Sequence, residues 1–444
     1  MIKIIFYNKK NIIALFLVIF FVIFYHSFFS SKLELIKYNK DNNFVYFKVQ
    51  DYAYHILIVK SFWFENFGDI YKLDFQQKAL SSYLGSDISF AMPLGITPVA
   101  LMVWLPFAYL ANFSMALSYS FWSSVSLILL FFSLLKFLRK RYQENKTISL
   151  PFYLVIVSIF SPAAFGALLL GQTSIFAVGL IVLIIDYVME KKEKRKNLLG
   201  IAYISILVFM VGIKPTYLVI AFGLLAIYGM WKEAFFSGFF LLAYFIAISF
   251  LLGIDWVFTY KNLLEMYNSG NFPQVYSWSI VPGTMNIFRS AFANIVGDNI
   301  GVKISNSITI GIYFIVLFYI TLIQLGKIGK NFKIGKKQVF ILLLSSYLLF
   351  APYAGSYEDM FFIVLFLMLF QGRKMPRLIE YKGLIIALLT MLVLSQVIIN
   401  TKKIMWILWT VKFIIISVVM FYSIRPSREF LSIDPDKYGD SYMR

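Results

Sequence analysis

The sequence predicts an all-α polytopic membrane protein with about 12 transmembrane helices (roughly 10–13). Three observations carry that expectation. Apolar residues make up 60% of the 444 positions and charged ones only 14%, with a mean hydropathy of +0.77. Apolar runs of about 16 to 25 residues recur along the chain, each near the length that crosses roughly 30 Å of hydrocarbon. These runs are apolar on every face rather than alternating. Because backbone groups in lipid must be satisfied internally, that pattern selects helices over a closed barrel.

The net charge is +19, from 41 Lys and Arg against 22 Asp and Glu. The basic residues sit in short loops: Lys9–Lys10, Lys136 with Arg139–Arg141 and Lys146, "KKEKRK" at 191–196, "KIGKNFKIGKK" at 327–337, "GRKMPR" at 372–377, and Arg425 with Arg428. Short basic loops beside apolar spans mark the cytoplasmic side. No basic surface interleaved with aromatics is left for a nucleic acid, so nucleic-acid partners are not expected. The chain has no cysteine, which excludes disulfides, thiol catalysis and iron–sulfur clusters.

The charge rule threads the chain as one integral-membrane domain, 1–444, with both termini cytoplasmic. Residues 1–30 read as an uncleaved signal anchor, its helix at about 11–29. Residues 30–112 form the first extracytoplasmic loop, with amphipathic or juxtamembrane helices. One of these begins at "FKVQDYAYHIL" (47–57). The stretch "AMPLGITPVALMVWLPFAYLANF" is long enough to span, but Pro93, Pro98 and Pro106 make it a broken helix at the outer interface. Spans follow near 114–137, 150–167, 174–189, 198–213, 216–231 and 235–253. A second extracytoplasmic loop covers 254–303. Further spans lie near 304–325, 338–352, 359–371, 382–400 and 404–422, before a cytoplasmic tail, 423–444. Lys402–Lys403 is the one basic pair this places outside.

Polar residues that interrupt the apolar background then collect on the outer face: Asp51, "GQTS" (171–174), Lys214–Pro215, Arg289 and "YAGSYED" (353–359). Asp51 opens a helix and precedes His55 by one turn on the same face. An N-cap would explain an acid there; a general base at the membrane surface is the functional alternative. A single carboxylate suffices when a sugar leaves from a lipid phosphate, since that leaving group needs no protonation, unlike the alkoxide of a glycosidase. Lys214 ends an apolar helix, where a cation is costly and marks a candidate site. With Arg289 it is a candidate phosphate ligand. His55, Gln172, Tyr357, Glu358 and Asp359 are candidate sugar or acceptor contacts. Helix capping is the plain alternative for Gln172 and the acids. Adjacent Glu358 and Asp359 fall on different faces of a helix, so no shared metal is expected there. No metal or other cofactor is expected. No P-loop, dinucleotide glycine pattern or nucleophile elbow appears.

Taken in order, these motifs resemble the GT-C superfamily of membrane glycosyltransferases, and within it glycosyltransferase family 87, the polyprenyl-phosphate-mannose-dependent mannosyltransferases. The resemblance rests on Asp51 followed by "YAYHILIVKSFWFENFGDIY", on "MPLGITPVALMVWLPF", "GQTS", "IKPT" and "FAPYAGSYED". It implies sugar transfer with inversion, from a polyprenyl-phosphate donor to a glycolipid or lipid-linked polysaccharide acceptor. The reaction would take place on the extracytoplasmic face of the plasma (inner) membrane, with Asp51 as the base and Lys214 at a Lys-Pro turn. Two departures leave the sugar open among mannose, glucose and arabinose: no Tyr-Pro-Pro precedes the interfacial helix, and no histidine occupies the late turn. An O-antigen polymerase or ligase, or a lipid or polysaccharide transporter, is the alternative. A transporter would show two matched halves, but the long first outer loop has no counterpart in the second half.

Overall fold

The computed structural model describes residues 36–39, 44–47, 50–65, 68–84, 95–142, 159, 161–189, 198–268, 336–350 and 356–370, together with 307, 311, 315, 318, 411 and 414–419. The expected helix at 11–29 and span at 382–400, and all but isolated positions of the spans near 304–325 and 404–422, lie outside these residues.

The chain divides into two compact units. The first contains residues 1–221 and 232–276, the second 222–231 and 277–444. The described part of the first unit begins with β1 (Ile36–Asn39) and β2 (Phe44–Phe47), an antiparallel pair in which Ile36 faces Phe47 and Asn39 faces Phe44. This short ladder is added to a framework that is otherwise helical among the described residues, as expected. Its signal was present: Ile36-Lys37-Tyr38-Asn39 alternates apolar and polar, and an Asn/Asp-rich turn, "KDNN", separates it from a β-rich run.

Helices follow: α1 (Gln50–Phe64), α2 (Leu73–Leu84), α3 (Val99–Val103), α4 (Leu105–Ala111), α5 (Met115–Tyr142), α6 (Pro162–Leu170), α7 (Ser174–Val188) and α8 (Leu198–Val211). Then come α9 (Pro215–Ile227), within which the unit boundary falls, α10 (Trp231–Leu252) and α11 (Trp256–Asn268). The stretch expected to be a broken helix is one. Pro98 precedes α3, Trp104 separates α3 from α4, and Pro106 sits in the first turn of α4, where its missing N–H costs nothing. The expected span at 150–167 is interrupted. Ser161 is extended, the conformation a following proline imposes. From there it starts α6 as N-cap, its hydroxyl accepting the Ala164 N–H at 3.1 Å, with Pro162 in the first helical position.

Among the described residues, two helices are long and apolar enough to cross a membrane, Met115–Leu138 and Trp231–Leu252; α7, α8 and α9 are shorter apolar helices. Together with the similarity reported below, they point to a membrane-associated protein. α10 exposes a run of large apolar side chains, including Phe235, Phe239, Leu242, Ile246 and Phe250. Such a face is stable only against an apolar surrounding.

The core of the first unit is aromatic. Trp122 of α5 meets Trp104 edge-on at 5.7 Å, Phe107 of α4 at 5.1 Å, Phe176 of α7 at 5.0 Å, and lies nearly parallel to Tyr52 of α1 at 6.3 Å. Tyr52 shares a 2.7 Å hydrogen bond with Ser118, whose hydroxyl donates to the Phe107 carbonyl at 2.6 Å. Each aromatic pair contributes about 0.5–1.5 kcal/mol beyond area burial. α1, expected as an amphipathic or juxtamembrane helix, is buried along most of its length. Tyr52, Ala53, Tyr54, Ile56, Ile58, Val59 and Phe62 are all fully buried. The helix packs against α2, α4, α5, α6 and β2.

α5 and α7 form the most extensive helix pair. Lys136 of α5 reaches Asp186 of α7 at 3.1 Å, and Asp186 has no exposed surface. Gly179 permits the close approach: a Cβ there would lie 3.0 Å from Leu129 Cγ and 3.1 Å from the Leu130 nitrogen.

In the second unit α12 (Lys336–Phe350) packs against α13 (Phe361–Phe370), which a 3₁₀ helix, Ser356–Met360, introduces. Gly223, in the part of α9 assigned to this unit, meets Leu343 of α12 so closely that a Cβ would have to displace that side chain.

Backbone in the Gly179 contact cannot move aside as a flexible side chain can. Gly179→Val is expected to destabilise the detergent-solubilised protein by about 1–3 kcal/mol. Gly95→Ala, where nothing lies within 4 Å, is expected to leave the thermal midpoint unchanged. Equal midpoints for the two variants would contradict the α5–α7 packing.

Candidate functional site

Two polar turns meet in the first unit. The first follows α6. Gly171 takes a left-handed conformation (φ 65°), and its N–H donates to Leu168 O at 2.9 Å, while Gln172 N–H donates to Ala167 O at 2.7 Å. This is a Schellman ending, which glycine makes without steric cost. It turns the chain so that α7 can start at Ser174 after Thr173. The Thr173 side chain caps none of the first N–H groups of α7.

The second turn lies between α8 and α9. Pro215 cannot continue α8, and its fixed φ suits the first position of a new helix. Gly212, Ile213 and Lys214 make the turn, with Gly212 N–H donating to Val208 O at 3.0 Å.

The turns are joined by side chains. Lys214 Nζ donates to Gln172 Oε1 at 3.1 Å and stands 5.6 Å from the centre of the Tyr217 ring. The Tyr217 hydroxyl lies 3.4 Å from Thr173 Oγ1. Gln172, Thr173 and Tyr217 are buried. Two helix starts, those of α7 and α9, therefore lie beside one ammonium group. Helix N-termini carry unsatisfied N–H groups and a partial positive charge, and with Lys214 they favour an anion.

His55 lies within reach of this charge. Its ring stacks on Trp104 at 5.2 Å and meets the edge of Tyr54 at 6.0 Å. Burial pushes the imidazole down to about 3, and the Lys214 ammonium acts in the same direction. His55 is therefore neutral at physiological pH. The Tyr54 hydroxyl donates to Gln76 Oε1, and Gln76 Nε2 donates to Ile70 O at 2.8 Å, which ties α1 to the start of α2.

The structure thus brings together three of the residues the sequence singles out: His55, Gln172 and Lys214. Asp51 is the second residue of α1, one turn and about 6 Å along the axis before His55; its carboxylate lies outside the described part, as do Arg289 and the Tyr357 side chain. Glu358 and Asp359 are described within the second unit. Both are buried at the head of α13. An acid at a helix start is favoured by the macrodipole. Among the described residues, no group of three His, Cys, Asp or Glu could hold a metal ion.

Thr173 was singled out only as part of "GQTS", and Tyr217 and Trp104 were given no role in the sequence. A tyrosine three residues after Lys214, across one helical turn, was the available signal for Tyr217. The others are placed by tertiary contacts.

A family model, glycosyltransferase family 87, matches residues 97–302. The likeness read from the motifs therefore holds over this stretch, and the match indicates a glycosyltransferase. The matched stretch contains Gln172, Lys214 and Arg289, while Asp51, His55 and residues 357–359 lie outside it. No curated protein and no solved structure matches the chain.

A histidine whose folded value is depressed binds fewer protons when folded than when unfolded between about pH 3 and 6.5. Its contribution is fully present above the unfolded value and is lost as pH falls toward the folded one. The thermal midpoint is expected to fall between pH 7 and 4.5 more steeply in the wild type than in His55→Gln. Parallel pH curves would mean that His55 is not held neutral.

Proposed function

We propose that this glycosyltransferase moves a hexose or pentose, with inversion, from a polyprenyl-phosphate donor to a glycolipid or lipid-linked polysaccharide acceptor. The reaction takes place on the extracytoplasmic face of the plasma membrane. The observation that carries the proposal is the Lys214 ammonium, held by Gln172 beside the starts of α7 and α9. A cation flanked by two helix N-termini at the end of an apolar hairpin suits a phosphate attached to a lipid.

In this mechanism Asp51 takes the proton of the acceptor hydroxyl as its oxygen attacks the anomeric carbon. The bond from that carbon to the phosphate oxygen breaks, and its electron pair leaves on the phosphate. The phosphodiester becomes a monoester with one more negative charge. Lys214, aided by Arg289, stabilises that gain where it develops. No proton donor is needed for the leaving group, so one carboxylate is enough, and no metal is required. His55, neutral and one turn beyond Asp51, serves as a hydrogen-bonding partner for the sugar or acceptor. Gln172 both orients Lys214 and faces the donor. Tyr357, Glu358 and Asp359 contribute to sugar or acceptor binding.

Purified protein incubated with polyprenyl-phosphate-linked glucose, mannose or arabinose and membrane acceptors tests this. Asp51→Asn is expected to lower transfer by about 10²–10⁴-fold while leaving the thermal midpoint unchanged. Lys214→Met is expected to raise the donor KM by about tenfold or more, and EDTA to leave the rate unchanged. Wild-type turnover by Asp51→Asn would remove it from the role of base.

A further inference from the structure

Residues 96–98, immediately before α3, are held from three directions. The Tyr71 hydroxyl donates to Ile96 O at 3.0 Å, and the Tyr244 hydroxyl of α10 donates to Pro98 O at 2.7 Å. Thr97 in turn holds the turn that carries Lys214. Its N–H donates to Ile213 O at 3.0 Å, and its hydroxyl donates to Gly212 O. The same hydroxyl oxygen accepts the Val99 N–H at 3.2 Å. Tyr71, Thr97 and Ile213 are all buried, so water cannot replace these bonds.

The carbonyls of Gly212 and Ile213 lie just past the end of α8, where no further helical turn supplies donors. Thr97 supplies both, one from the backbone and one from the side chain. A turn of three residues between two helices has few other restraints, and Lys214 is its last residue. Tyr71, which closes the "GDIY" segment, is fixed in its own turn by Asp69, whose Oδ1 accepts the Tyr71 N–H at 2.9 Å. A continuous chain of hydrogen bonds therefore runs from Asp69 and Tyr71, through residues 96–97, to the turn of Lys214 and on to Gln172.

We infer that Thr97 is a positioning residue for phosphate recognition: with Tyr71 behind it, it holds the 212–214 turn so that the Lys214 ammonium is aimed at the lipid phosphate. The inference rests on the proposed role of Lys214. Thr97 itself does not touch the donor. Its effect is confined to the charged part of the ligand, and the lipid chain is bound independently of it.

The test compares binding of undecaprenyl phosphate and of undecaprenol, the uncharged alcohol of the same chain, to the full-length protein in detergent. The wild type is expected to prefer the phosphate by roughly 10–100-fold, the range of a hydrogen bond to a charged group. Thr97→Val is expected to lose about tenfold of that preference with undecaprenol binding unchanged. Thr97→Ser, which keeps the hydroxyl, is expected to retain it. Tyr71→Phe is expected to lose part of it, and stands in for Thr97→Val should that variant fold poorly. Thr97→Val combined with Lys214→Met is expected to match Lys214→Met alone, because the threonine acts through the lysine. Full phosphate preference in Thr97→Val, or an equal loss for both ligands, overturns the positioning role while leaving the reading of Lys214 intact. Full preference in Lys214→Met overturns the phosphate reading itself.

Discussion

The hydrogen bond from Lys214 to Gln172 joins two turns at the ends of apolar helices, and most of the arrangement around it follows from the cost of placing an ammonium there. A lysine beside hydrocarbon must be solvated by protein groups or reach the interface. Here it takes an amide oxygen, and the Tyr217 ring lies close by. To present that amide, the chain must reverse sharply after α6, which the left-handed Gly171 allows. To present the lysine, α8 must stop and α9 restart within three residues, which Pro215 enforces. Burial, with the same charge acting in the same direction, keeps His55 uncharged, so a cation and a neutral hydrogen-bonding ring share one neighbourhood. That pairing suits a reaction in which negative charge appears on one substrate while an alcohol loses its proton.

Much of the helical framework was legible in the sequence. The helices beginning near 115, 174, 198, 215 and 231 are bounded by Pro, Gly or basic residues and are largely apolar, so their ends fall within a few residues of expectation. Two misreadings have specific causes. The run at 150–167 is apolar enough to span, and its composition masked Ser161-Pro162, a dipeptide that reads as a helix start. α1 reads as amphipathic because His55, Lys60 and Ser61 punctuate it. Ser61 is buried all the same and His55 stacks on Trp104 of the proline-broken segment, and sequence periodicity does not record a layer added from elsewhere in the chain.

The candidate site was legible where a polar residue interrupts a long apolar background, as Gln172 and Lys214 do. Residues that act by holding others were not. Thr97, Tyr71 and Tyr217 look like ordinary members of loops and helices until the turns they bind are placed beside them. Trp104 lies between two short helices, and only the folded chain sets it against His55. Local sequence marks the costly groups; the groups that offset the cost are chosen by tertiary contact.

The ion pair between Lys136 and Asp186 bears on how the chain enters its bilayer. An unpaired aspartate costs about 2.5–3.5 kcal/mol at the centre of a membrane-inserted helix and less toward an end, where Asp186 lies in α7. α5 is synthesised before α7, so the cation is already waiting when the aspartate emerges. The two segments are therefore suited to leave the channel as a couple, with the order of synthesis written into which helix carries which charge.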